Sequence, residues 1–233
     1  MEDRYNNYNV QTSAEMAGLK SYMLRVYNYM GCGLILTALA AYFTANSPYL
    51  MQLIYGTPLQ YVVMLAPLAF ILVLSFGINK LSARTTQLLF WLFAAVMGLS
   101  LSYIFTLYTG SSLTRVFLIT AATFLTMSIY GYTTKADLSR FGSILIMGLI
   151  GIIIASIVNI FLKSSGLDFG ISLIGVVVFT GLTAWDTQKI KLSYDVNQSA
   201  EHLNKTAVFG ALSLYLDFIN LFLMLLRLVG DRR

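Results

Sequence analysis

The run Ala207–Leu228, AVFGALSLYLDFINLFLMLLRL, constrains this chain more than any other stretch. As a helix rising ~1.5 Å per residue, it is long enough to cross the ~30 Å hydrocarbon core of a bilayer. Asp217 stands near its middle. An acid at that depth costs roughly 3 kcal/mol or more if it meets lipid, so it turns to protein or water and is a functional candidate by position alone. Gly210, Ser213, Asp217 and Asn220 recur three or four residues apart and share one face. That face is small and polar, and the rest of the helix is Leu, Phe and Met.

The remainder of the chain has the same character. Of 233 residues, 58% are hydrophobic and 11% charged, where a soluble domain carries about a quarter charged residues. The mean hydropathy of +0.74 agrees. Too few charges remain to cover a globular surface, so the class is a polytopic α-helical membrane protein whose first partner is the lipid bilayer. The net charge of +5 does not mark a nucleic-acid binder, because the basic residues are scattered through short loops between apolar runs. Cys32 is the only cysteine, which excludes an intramolecular disulfide and offers no metal-ligand spacing. Its place in an apolar run predicts a packed thiol. The first residues, MEDRYNNYNVQTSAEMAGLKSY, have no apolar core and are not a cleavable signal. They predict a flexible arm over residues 1–18, followed by a single domain over 19–233.

Seven spans are predicted: Leu24–Thr44, Tyr61–Ile78, Leu88–Leu107, Val116–Tyr132, Ile144–Leu162, Ile171–Lys189 and Ala207–Leu228. The connections are short, so consecutive spans should run antiparallel. Lys and Arg concentrate in the N-terminal arm and in the second–third, fourth–fifth and sixth–seventh loops, which places the N-terminus in the cytoplasm. Seven crossings then put Arg227, Arg232 and Arg233 on the outer side, against the rule. A re-entrant last segment would return them to the cytoplasm, and seven full spans is the preferred reading. Gly31 and Gly33, the stripe Gly148, Gly151 and Ala155, and Gly170, Gly175 and Gly181 read as places of close helix packing.

The chemistry centres on Asp217 and on Asp186 in the sixth span, with Thr183 close to the same face as Asp186. The two acids meet if their faces turn toward each other. Two carboxylates in a poorly hydrated site do not both ionise readily, and they titrate as a unit around one shared proton. Such a pair holds two helices together when singly protonated and drives them apart when fully ionised, which makes it a gate that responds to pH. The plainer reading is a pair that only pins helices. Ser213 and Asn220 are expected on the same face, hydrogen-bonded within the bundle. Asp195, Glu201 and His202 read as solvated residues of the sixth–seventh loop. The chain lacks HExxH, and its single histidine is in that loop, so a zinc or serine protease does not fit.

Two segments carry a resemblance. ALSLYLDFINLFLMLLRLVGDRR resembles the C-terminal signature of the Bax inhibitor family, the transmembrane Bax-inhibitor-motif proteins. TGLTAWDTQKI, Thr180–Ile190, resembles the family's sixth-span aspartate motif, with Trp185 where Tyr is common. YGYTTKADLSRFG, Tyr130–Gly142, is similar to the bacterial inner-membrane branch. The resemblance implies an all-α membrane protein, a seven-transmembrane helical bundle whose last span is central and enclosed by the other six. It also implies that Asp186 and Asp217 form a hydrogen-bonded pair and that a basic residue near the inner end of the second span pairs with them. Lys80 and Arg84 are the candidates, with Asn79 at the deepest position.

The function so implied is a pH-sensitive Ca²⁺ leak of the inner membrane, with Asp186 and Asp217 binding the ion weakly and transiently and no cofactor. Two carboxylates suit Ca²⁺ in kind but are too few for a tight site. A second reading is an interaction protein that restrains other membrane proteins or proteases. A third, an intramembrane aspartyl protease, lacks the Gly-x-Gly-Asp that class needs, since the second acid lies in SLYLDFIN. The chain is therefore expected not to be an enzyme.

Overall fold

The computed structural model describes residues 2–77 and 80–233, with side chains from residue 15 onward. Asn79 lies outside the described residues. Among those described, every regular element is a helix: α1 (Glu2–Ala45), α2 (Pro48–Tyr55), α3 (Leu59–Gly77), α4 (Ala83–Leu101), α5 (Ile104–Leu107), α6 (Gly110–Thr133), α7 (Ser139–Leu162), α8 (Ser165–Leu192) and α9 (Ala200–Val229). Seven segments are long and apolar enough to span, with Glu15–Ala45 the apolar part of α1 and α4 joined by α5 in the third. The spans expected from the sequence are all present. At 30 residues, α9 is a full crossing of ~45 Å and not a re-entrant segment.

Four helices begin well before their apolar runs, at Ala83, Gly110, Ser165 and Ala200. The cause is local. Ser82, Thr109, Ser164 and Ser199 each accept a hydrogen bond from the backbone N–H three residues on, at 3.2–3.3 Å. Each satisfies one of the donors a helix leaves open at its start, and so moves the start out to the cap. The first connection is also helical. Ser47 caps α2, Pro48 supplies its first position, and the element ends at Gly56. The third span breaks between Leu101 and Ile104, where Ser102 Oγ donates to Leu99 O at 2.7 Å and the Tyr55 hydroxyl lies 2.9 Å from the same carbonyl.

The last span is central. Its polar stripe needs protein around it, and α9 packs against α1, α4, α6 and α8. The enclosure is nevertheless by four spans and not six: α3 packs chiefly on α4, and α7 chiefly on α8. Within the most apolar stretch of each helix, 67% of α9 is buried against 17% of α3 and 6% of α7. The two outer spans are the most apolar of the seven, so lipid suits them and no polar stripe draws them inward.

Close approach is set by small residues. At Gly131 on α6 a Cβ would meet the Ala184 backbone of α8, and at Gly98 on α4 it would meet the Thr37 carbonyl of α1. Gly33, Gly148, Gly175 and Gly181 each lie against a neighbouring side chain, as expected, whereas Gly31, Gly151 and Gly170 face open space. Cys32 is exposed on the bundle surface and not packed, because the buried face of α1 runs through Val26, Met30, Gly33 and Thr37.

One end of the bundle carries the α3–α4, α6–α7 and α8–α9 connections, and the other carries α2, α5 and the C-terminal tail. That tail is tied down. Thr109 N donates to Asp231 O (3.1 Å), Arg233 N to Leu107 O (2.9 Å) and Asp231 N to Ser112 Oγ (2.9 Å). Arg115 bridges Asp231 at 2.8 Å, Arg227 lies 3.7 Å from Asp168, and Arg232 stands over the Tyr108 ring. The sequence leaves these arginines as unexplained charges, and the fold gives them partners.

Candidate functional site

Asp186 and Asp217 meet. α8 and α9 form the most extensive helix pair in the bundle, and the two carboxyl groups lie within hydrogen-bonding reach of each other. The faces that bring them together follow from spacing. Gly210 sits against Ile190, and the antiparallel register then brings Asp217, two turns on, to within about one turn of Asp186, which stands one turn before Ile190. Asp217 is 5% exposed, and its Oδ2 has no hydrogen-bond donor among the described residues. Asp186 is half-buried. A buried carboxylate oxygen without a donor is expensive, and a proton held between the two acids removes that expense.

Lys189 is the cation that acts on Asp186. It lies on α8 itself, three residues on, with its Nζ 5.1 Å from the centre of the Trp185 ring. Lys80 and Arg84 are exposed at the α3–α4 connection and form no ion pair with either acid among the described residues. α3 is an outer helix, so its inner end lies away from α9. Among the described residues no third His, Cys, Asp or Glu joins the pair to complete a metal-binding group.

The supporting polar residues turn partly to their own backbones. Thr183 is buried and donates to Phe179 O at 2.8 Å, and Asn220 Nδ2 donates to Leu216 O at 2.8 Å. Ser213 is half-buried. Among the described residues neither Ser213 nor Asn220 forms a hydrogen bond to another helix. For Thr183 and Asn220 the helix offers a carbonyl acceptor one turn back, and that local bond is the one formed.

The connections between helices are made by residues the sequence reading passed over. Thr187 donates to Thr183 O (2.7 Å), so Ser128 must donate to Thr187 Oγ1 (3.0 Å) and Tyr27 to Ser128 Oγ (2.5 Å). This chain of hydroxyls links α1, α6 and α8 within one turn of Asp186. Gln188 spans the α6–α7 connection, accepting from Leu138 N (2.9 Å) and donating to Ala136 O (2.8 Å). Lys191 Nζ donates to Tyr132 O at 2.7 Å, at the end of α6. In α9, Tyr215 donates to Thr37 Oγ1 (2.7 Å), which donates to Ala94 O (2.7 Å), joining α9, α1 and α4. The run Trp185–Lys191 thus fixes α8 to its neighbours with most of its polar side chains and leaves Asp186 for Asp217. His202 starts α9, where its N–H is taken by Ser199 Oγ.

The paired aspartates on the two late spans match the arrangement expected of one family, and comparison with known proteins decides it. Residues 19–233 match the family described as "Inhibitor of apoptosis-promoting Bax1". The chain belongs to the Bax inhibitor family. It is similar to the Escherichia coli (strain K12) inner membrane protein YbhL, with 50% identity over 220 residues that cover 93% of this chain and 94% of that one. An uncharacterised protein of Rickettsia prowazekii is 50% identical over 216 residues, 93% of this chain and 92% of its own. An uncharacterised membrane protein of Streptococcus pyogenes is 34% identical over 231 residues, 97% and 98% of the two chains. As a Bax inhibitor family member with seven apolar helices, the protein is an integral, multi-pass membrane protein.

Proposed function

We propose that this protein is a pH-sensitive cation leak of the inner membrane, with Ca²⁺ as the transported ion and the Asp186–Asp217 pair as its gate. The observation that carries this reading is Asp217 Oδ2, buried without a hydrogen-bond donor among the described residues, on a carboxyl group within hydrogen-bonding reach of Asp186. One shared proton joins α8 to α9. Loss of that proton leaves two like charges between the same helices, which weakens the contact and supplies oxygen ligands to a passing cation. Two carboxylates bind Ca²⁺ weakly, as passage requires. The inner-membrane location is supported by the name of the relative YbhL. A cytoplasmic N-terminus follows from the basic loops at the α8–α9 end.

The test is purified protein in liposomes that enclose a Ca²⁺ indicator, assayed across neutral and acidic pH. The expected result is a flux that varies with pH in the wild type and loses that variation in Asp217→Asn and in Asp186→Asn. The double variant should add little to either single one, because the two residues act as a unit. Additive, independent effects would break the pair. Wild-type liposomes that pass no Ca²⁺ at any pH, beside a working control channel, would remove the leak. The description of the family as an inhibitor of another protein would then support the second reading, a membrane-embedded interaction protein.

A further inference from the structure

A cavity of about 640 Å³ lies between α1 and α6, with α9 as its floor. It is in the half of the bundle that carries the C-terminal tail, away from the aspartate pair. Its walls are apolar, among them Leu34, Ala38, Phe117 and Phe222. Ala38, Tyr42 and Phe117 are exposed, so the groove opens sideways toward the lipid. Along α1 it runs from Leu34 to Asn46, ~18 Å of helix, close to the ~15 Å of hydrocarbon in one leaflet. Apart from Thr37, which is bonded to Tyr215 and Ala94 O, its polar residues lie toward the end nearest the membrane surface, where Asn46, Thr114 and Arg233 line the mouth. Arg233 is held there by its N–H bond to Leu107 O. Among the described residues its guanidinium pairs with no side-chain carboxylate, whereas Arg115 and Arg227 both do.

We propose that this groove is a binding site for one anionic phospholipid, with an acyl chain between α1 and α6 and the phosphate on Arg233. The volume lies within the roughly 300–1,000 Å³ of small-molecule sites. Water gains little from walls of this kind, and an empty groove forfeits the dispersion contacts of its lining. An acyl chain from the adjoining leaflet supplies those contacts without leaving hydrocarbon. The arginine then selects the head group by charge, and the Asn46 amide beside it, which gives one N–H to Tyr42 O, has a second to donate. The site goes beyond ion conduction and does not depend on it.

The test is native mass spectrometry of the full chain in detergent, titrated with phosphatidylglycerol or with phosphatidylcholine of identical acyl chains. One phosphatidylglycerol should be retained preferentially. Arg233→Gln should reduce that preference by about fivefold, the weight of one arginine near an anionic surface. Ala38→Trp places a large ring in the groove from an exposed position and should abolish retention of both lipids, with thermal stability unchanged. Equal retention of the two lipids by the wild type would overturn the anionic head-group assignment. Unchanged retention in Ala38→Trp would show that the lipid sits elsewhere on the surface and would overturn the site. Retention of detergent or a copurified peptide in place of the added lipid would overturn it equally.

Discussion

α7 and α9 are both long apolar helices, and they occupy opposite places. α7 is the most apolar span of the seven and the least buried. Its sequence from Ile144 to Leu162 has a single amide, Asn159, a single serine, Ser156, and two glycines, and the rest is apolar, mostly Ile and Leu. α9 is less apolar and carries Ser213, Asp217 and Asn220, yet most of it is buried. In water the more apolar helix would take the centre. In a bilayer lipid tails are as apolar as leucine, so apolarity no longer sorts helices inward. The polar stripe does, since it alone is badly placed against lipid.

The sharpest way to break this comparison is to spoil close approach in the centre and leave the rim alone. Gly131→Leu drives a side chain into the Ala184 backbone, where no rotamer avoids the clash. It should cost more than about 4 kcal/mol and leave little folded protein, judged by size-exclusion profile and thermal melting. The matching change on the rim, Gly151→Leu, meets open space and should stay within about 0.5 kcal/mol of wild type. Equal damage from both would mean that α7 is not a lipid-facing helix.

Next in size is Tyr215→Phe. It removes the hydroxyl that reaches Thr37 from the fully buried ring between Phe90 and Phe93. Hydrogen bonds between membrane helices contribute about 0.6–2 kcal/mol, so the melting temperature should fall by a few degrees. No change would place the link between α9, α1 and α4 in the ring contacts alone. Thr187→Val should follow at a similar or smaller magnitude, because it cuts the Tyr27–Ser128–Thr187 chain but keeps the shape of the side chain. The smallest effect is expected from Ser213→Ala, within about 0.5 kcal/mol in the same melting assay. A loss of folding there would give the polar stripe a structural weight that its hydrogen bonds do not show.

What the sequence made legible was the part fixed by period and length. Seven apolar runs became seven spans, and the small polar face of α9 located the central helix. The positions of Asp186 and Asp217 were readable as a pair only because a family resemblance turned their faces together. Three-to-four spacing places a residue on a face without saying which helix it meets. The resemblance likewise made Lys80 and Arg84 the candidate basic partners, while the fold puts α3 outside and leaves Lys189 on the same helix as Asp186. Caps such as Ser164 and Ser199 were visible as residue types, but a polar cap before an apolar run looks like a loop until the N–H it accepts is known. The tail at Asp231 and Arg233 was least legible of all, because its partners at Leu107, Thr109 and Arg115 lie more than a hundred residues away along the chain.

The central position of α9 also sets an order of construction. Chains are made from the N-terminus, and earlier segments fold first. α9 follows α1, α4, α6 and α8 along the chain, so those four enter the bilayer before the axis they enclose exists. Thr37 then waits without Tyr215, and Asp186 without Asp217. The bundle is completed from the outside inward, and the stretch after α9 closes on the α5–α6 turn only once that axis is in place.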